Sequence, residues 1–210
     1  MPFSGTGVYT PAAGALTAAP GGIIQSSVWN AIFTDMTAAF TNVAQSRRLL
    51  NTLTAATSAT LADTTSLTST FKDYEIVFEN IVPATNTVTL EFQVHSGGTF
   101  PATAYVNSTF GTNGSATVLV NAATTYIPLT ATTIVNTTSV GMSGSITIFG
   151  PVNTASSIKN IAGNTSSFNT AVVSTVVGGF WNSIAAIDGF QILFTSGNIL
   201  SGTVKVYGLL

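Results

Sequence analysis

From Phe71 onward apolar side chains return at every second residue, and that period commits most of the chain to β-structure. Tyr74, Ile76 and Phe78 alternate with Glu75, Val77 and Glu79, and Leu90, Phe92 and Val94 alternate with Glu91, Gln93 and His95. Near the C-terminus Phe190, Ile192 and Phe194 alternate with Gln191, Leu193 and Thr195, and Val204 and Val206 with Lys205 and Tyr207. Successive side chains of a strand point to opposite faces, so such runs predict strands with one buried face. Each run stops at turn chemistry: Pro83-Ala84-Thr85-Asn86, Ser96-Gly97-Gly98, Asn113-Gly114 and Ser196-Gly197-Asn198. Many short strands separated by such turns predict a mainly β fold, an antiparallel β-sandwich or jelly-roll-like domain over 71–210. The last two strands, about 189–195 and 202–208, are expected to form a closing hairpin. The apolar stretch 171–194 is interrupted by Gly178, Gly179, Asn182, Ser183 and Asp188. Its β-branched run predicts two buried strands and not a membrane span, which needs about 20 predominantly apolar residues.

The first 70 residues follow other patterns. Residues 1–25 are rich in Gly, Ala, Thr and Pro, with Pro2, Pro11 and Pro20, and predict an extended arm. No basic region or apolar run marks a secretory signal over 1–9. Ser26 or Ser27 can cap a helix running to about Ser46. Trp29, Met36, Val43 and Leu50 repeat every seven residues, Ile32 and Ala39 take the second seam position, and Phe33 and Phe40 widen the stripe. Such a stripe packs either on the domain's own sheet or against other copies. Trp29, Ile32, Phe33, Met36, Phe40 and Val43 are therefore the expected attachment or oligomer contacts, within an attachment region over 1–50. Residues 51–70 are dominated by Thr, Ala, Ser and Leu and read as a linker with one or two short strands.

Composition narrows the function. Charged residues make up 6% of the chain, five basic and seven acidic, against roughly a quarter in ordinary soluble domains. Little charge keeps copies apart, so the surface suits a protein covered by other subunits. A net charge of -2 with scattered basic residues gives no footprint for nucleic acid. Without cysteine there are neither disulfides nor thiolate metal sites, and no cofactor motif stands in the sequence.

Catalytic constellations are sparse. His95 is the one histidine, placed by alternation on the polar face of a strand end, beside Ser96. No nucleophile elbow surrounds any serine, so an exposed structural histidine is the expectation over a Ser-His-acid triad. Asp73, Glu75 and Glu79 are expected on one face of one strand, with Glu91 on the neighbouring strand. Such a cluster is either a solvated outer face or a cation or acid–base site. Among the aromatic residues, Trp181 and Tyr105 are candidate ligand contacts, since such rings stack on sugars. For Trp181 the competing expectation is a core position between sheets.

Two segments carry a resemblance. GGIIQSSVWNAIFTDMTAAFTNV, with Ser27, Trp29, Asn30, Ile32, Phe33, Asp35 and Met36, resembles the leader of small tail-fibre or virion-fibre proteins of phages. FKDYEIVFENIVPATNTVTLEFQV, paired with the terminal SGTVKVYGL, is similar to the sandwich domain of phage fibre proteins. The likeness covers roughly the first 45 residues, then 71–95 and 188–208. It implies a non-enzymatic structural protein on the exterior of a phage particle, a tail or collar fibre subunit that self-assembles, often as a trimer, and contacts other virion proteins and a host-surface glycan or protein. The alternatives in the same setting are a capsid decoration or head-fibre protein and a lectin-like adhesion module. The family carries no catalytic residues, and neither nucleic-acid binding nor membrane insertion is expected.

Overall fold

The computed structural model describes residues 30–37, 47–112, 117–120, 125–155 and 158–210. The chain divides into two compact units, Met1–Arg48 and Leu49–Leu210. In the first, residues 30–37 form a short helix whose Thr34 and Thr37 hydroxyls donate to the carbonyls of Asn30 and Phe33, one turn back. Thr can satisfy its hydroxyl inside a helix in this way.

The second unit is mainly β, a sandwich of two antiparallel sheets. Its strands are β1 (Arg47–Thr54), β2 (Leu61–Asp63), β3 (Asp73–Pro83), β4 (Leu90–His95), β5 (Tyr105–Asn107), β6 (Thr109–Thr112), β7 (Thr117–Val120), β8 (Ile127–Pro128), β9 (Met142–Phe149), β10 (Ile158–Asn169), β11 (Ala171–Asn182), β12 (Gly189–Phe194) and β13 (Ile199–Leu209). The larger sheet runs β1-β13-β3-β9-β10-β11-β6-β7, with β5 also on β11, and the smaller runs β2-β12-β4-β8. The inward faces are those that the alternation predicts. Tyr74, Ile76, Phe78, Val204 and Val206 come from one sheet, Leu90, Phe92, Val94, Phe190 and Ile192 from the other, and all meet in one core. Phe92 and Phe190 stack with ring centroids 5.7 Å apart.

Three expectations are corrected. β12 and β13 are not a hairpin: β12 pairs with β2 and β4, and β13 with β3, so the chain crosses from one sheet to the other at Ser196-Gly197-Asn198. Alternation fixes which face a strand buries, not which neighbour it pairs with. Residues 51–70 do hold short strands, the end of β1 and the whole of β2, but the rest of the stretch is not a free linker. β1 lies on β13, β2 is an edge of the smaller sheet, and Ala55, Leu61 and Leu67 are buried in the core. The stretch 171–194 does hold two strands, but Gly178 and Gly179 lie inside β11, and β11 buries only one face.

Special backbone positions shape the sheets. The register of β3 against β9 shifts between Phe78 and Ile81, where Asn80 takes a positive φ of 49°. The Asn80 side chain holds this bulge from both sides, accepting from the Gly141 N–H at 2.8 Å and donating to the Thr138 carbonyl at 3.2 Å. Asn tolerates the left-handed region better than branched residues do. Where β10 crosses β9, Gly163 lets the backbones touch: a Cβ there would sit 2.1 Å from the Ser145 carbonyl oxygen.

Candidate functional site

The alternation that buries half of each strand also sets what the larger sheet shows to solvent. On β10 the inward residues are Lys159, Ile161, Thr165 and Ser167, and on β11 they are Val173, Thr175, Val177 and Trp181. Much of this inward row is polar. Thr165 Oγ1 donates to the Leu129 carbonyl at 2.6 Å, Thr175 Oγ1 accepts from the Ala131 N–H at 3.2 Å, and Thr109 Oγ1 donates to the Pro128 carbonyl at 3.3 Å. These threonines satisfy the backbone of 128–131, a segment packed beneath the sheet, so that its groups are buried with partners. Lys159 is buried as well; its ammonium donates to the Ser183 carbonyl at 3.1 Å, and burial pulls its pKa below the ordinary lysine range.

The outward face divides by charge. Over β3 and β13 it carries Glu75, Glu79 and Lys205, with Lys205 Nζ 2.6 Å from Glu79 Oε1. From β9 through β10 and β11 to the row formed by β5 and β6, the outward residues are small, amide, hydroxyl or apolar, and none is charged. Val172, Val176, Val106 and Phe110 are exposed there. The register sets Val176 opposite Phe110 and Phe180 opposite Val106 across strands, and Phe168 opposite Val172.

The expected ligand aromatics lie elsewhere. Trp181 is 5% exposed and Tyr105 is 2% exposed, paired across β11 and β5 on the inward face. Trp181 Nε1–H donates to the Thr103 carbonyl at 3.2 Å, and the Tyr105 hydroxyl accepts from the Val94 N–H at 2.9 Å. Neither ring can stack on a sugar from inside the core; for Trp181 the structure takes the core position.

His95 is also buried, not solvent-facing. Its Nδ1 lies 2.5 Å from Asp188 Oδ1, and Phe100 packs edge-on with centroids 4.9 Å apart. An ionised carboxylate only accepts, so Nδ1–H is the donor. This supplies a base and its orienting acid, but the neighbouring Ser96 hydroxyl donates to the Ala186 carbonyl at 2.7 Å and is committed there. Asp73, Glu75 and Glu79 share the outward face of β3, as the alternation predicts, but Glu91 is not on a neighbouring strand: it lies on the smaller sheet, where burial raises its pKa and the Tyr126 hydroxyl partly offsets this. Among the described residues no three His, Cys, Asp or Glu side chains come together to hold a metal ion.

Of the expected attachment residues, the helix displays Phe33 at 60% and Met36 at 42% exposure, with Ile32 half-buried. Trp29, Phe40 and Val43 lie outside the described residues. No described helix is long and apolar enough to cross a membrane, which says nothing of strands. Protein-family models, curated proteins and solved structures yield no match to the chain.

Proposed function

We propose that this chain is a non-enzymatic structural subunit of a phage virion, a tail or collar fibre protein that assembles with copies of itself, as a trimer on the fibre resemblance, with the helical segment attached to the particle and the sandwich facing outward. The observation that carries the reading is the helix 30–37, which presents Phe33 and Met36 to solvent in a chain of which 6% is charged. Burying each such side chain contributes about 1.5–3 kcal/mol, more than the ~0.5–1.5 kcal/mol that ordering one side chain costs. The commitment of Ser96 to a backbone carbonyl and the separation of Glu91 from Glu75 and Glu79 both favour a non-catalytic role. The capsid-decoration reading shares this chemistry and differs in location. A lectin-like role through Trp181 and Tyr105 loses its support, because both rings are buried.

The test is the solution mass of the full chain by light scattering, beside the variant Phe33→Ser with Phe40→Ser. The expected result is an oligomer that the double variant dissociates while keeping its β-sheet circular dichroism. A monomeric wild-type chain at every concentration would sink the reading.

A further inference from the structure

We infer that the uncharged outward face of β9, β10, β11 and the β5–β6 row is the surface on which a second copy of this chain packs. The inference rests on the self-assembly reading and names the partner and the contact.

The first argument is the sequence of β11. Valine occupies both faces of the strand: Val173 and Val177 point into the core, while Val172 and Val176 point out, Val172 being 61% exposed. An antiparallel strand with one solvated face alternates apolar-in with polar-out, and β11 departs from that alternation at Val172 and Val176. A single copy covers one side only.

The second argument is charge. The outward face of the same sheet carries Glu75, Glu79 and Lys205 over its β3–β13 half and no charged side chain over its β9–β10–β11–β5–β6 half, where Lys159 points inward. A solvated face does not require this partition, but a packed one does, since an unpaired charge pressed against another surface costs several kcal/mol. A basic or acidic partner would find nothing to pair with. A second copy presents the same charge-free chemistry and is its own complement.

The third argument is area. β10 and β11 are 12 residues each, about 40 Å long at ~3.4 Å per residue, and four rows at ~4.8 Å spacing span about 19 Å. With the outer rows shorter, the face projects to roughly 640 Å², approaching the ~800 Å² per partner of a standard specific interface. Val106, Phe110, Val172 and Val176 stand within it as apolar anchors, with Phe168 and Phe180 half-exposed beside them.

The experiment uses the full chain. Val172→Lys with Val176→Lys puts two cations on positions that solvent already reaches, so the single copy tolerates them. At a concentration where the wild-type chain is fully assembled, the variant is expected at the single-chain mass of 21.5 kDa, with unchanged circular dichroism. A variant that keeps the wild-type mass overturns the inference and leaves the self-assembly reading standing; a wild-type chain that is itself monomeric overturns both. Should the lysine pair unfold the chain, Val176→Cys decides. The chain has no cysteine, so this thiol is unique, and a short bismaleimide is expected to join copies through it far more efficiently than through Ser196→Cys in the β12–β13 turn. Equal yields at the two positions overturn the inference. So does a face that takes up a neutral oligosaccharide with no change in mass on the lysine substitutions.

Discussion

Asp188 Oδ1 lies 2.5 Å from His95 Nδ1, tying the end of β4 to the segment that leads into β12 across 93 residues of sequence. Asp188 immediately precedes Gly189, the register partner of His95, and the Gly97 N–H reaches the other carboxylate oxygen at 3.4 Å. The pair therefore fixes the turn at 96–99 against the strand beside it. Asp188→Ala leaves a buried imidazole donor without its acceptor, which costs about 1–3 kcal/mol. Removing both partners by adding His95→Phe should cost less than the sum of the single changes, because the orphaned group is gone. Urea unfolding of the four proteins measures this; strict additivity would show that the pair does not couple.

Tyr105 sets an alkaline limit. Burial pushes its hydroxyl up to about 12, partly offset by the Val94 N–H that donates to it. The unfolded chain releases this proton near the ordinary value of 10.0, so above that pH the folded state holds more protons than the unfolded. Stability therefore falls as pH rises from about 10 and levels off past about 12, by up to roughly 3 kcal/mol from this group. Tyr105→Phe should lower stability at neutral pH, by stranding the Val94 N–H, and flatten the decline above pH 10. Urea midpoints from pH 8 to 11 check both.

Asp63 sets an acid limit of opposite sign. Burial raises its pKa, but hydrogen bonds from Ser66, Thr65 and Asn51 more than offset this and hold the carboxyl below its ordinary 3.8. The Asn51 amide at 2.9 Å and the backbone N–H groups of Thr65 and Ser66 at 3.0 and 2.9 Å supply the contacts. The stabilisation is complete above the ordinary carboxylate pKa and is lost as pH falls through the lowered folded value. Asp63→Asn should weaken the chain at pH 7 and flatten its loss of stability below pH 4. An unaltered acid limb would show that this carboxylate is not linked to folding.

Legibility followed the chemistry of the inward face. Where that face is apolar, as at Tyr74, Ile76 and Phe78 or Phe190, Ile192 and Phe194, a period of two identified the strand and its buried side. Between 96 and 187 part of the inward row is Thr and Ser, which core positions accept only because the backbone of 128–131 supplies partners, so the apolar period shows in pieces, at Met142, Ile146 and Ile148 and at Val173 and Val177, and not along whole strands. Over 51–70 the presence of short strands is legible but their bounds are not: β2 has three residues, too few for a periodic signal. His95 was misplaced because alternation ends with its strand, and the covering groups, Phe100 and Asp188, come from elsewhere in the chain. In the 180–182 segment, FWN has the same local pattern with Trp181 outward or inward; the inward side follows from the phase set by Val173 and Val177. Valine in both phases of β11 is legible in the sequence, but the sequence does not tell which of the two faces the core takes.

The close approach of β9 to β10 at Gly163 gives a sharp packing test. Gly163 lies opposite Ile146 where β10 meets β9, and a Cβ there would stand 2.1 Å from the Ser145 carbonyl oxygen and 2.6 Å from the Ile146 Cα. Both are backbone atoms inside a paired strand, so no side chain can swing aside to make room. Gly163→Ala must push β9 and β10 apart, breaking ladder hydrogen bonds near the Thr165 contact to Leu129. Overpacking of this kind costs about 1–3 kcal/mol, occasionally more, and because the obstruction is backbone the loss should fall at the upper end. Ser166→Ala, an exposed position on the same strand, should stay within about 0.5 kcal/mol of wild type. Thermal unfolding of the two variants distinguishes them; equal midpoints would mean that the strands separate at that crossing without cost.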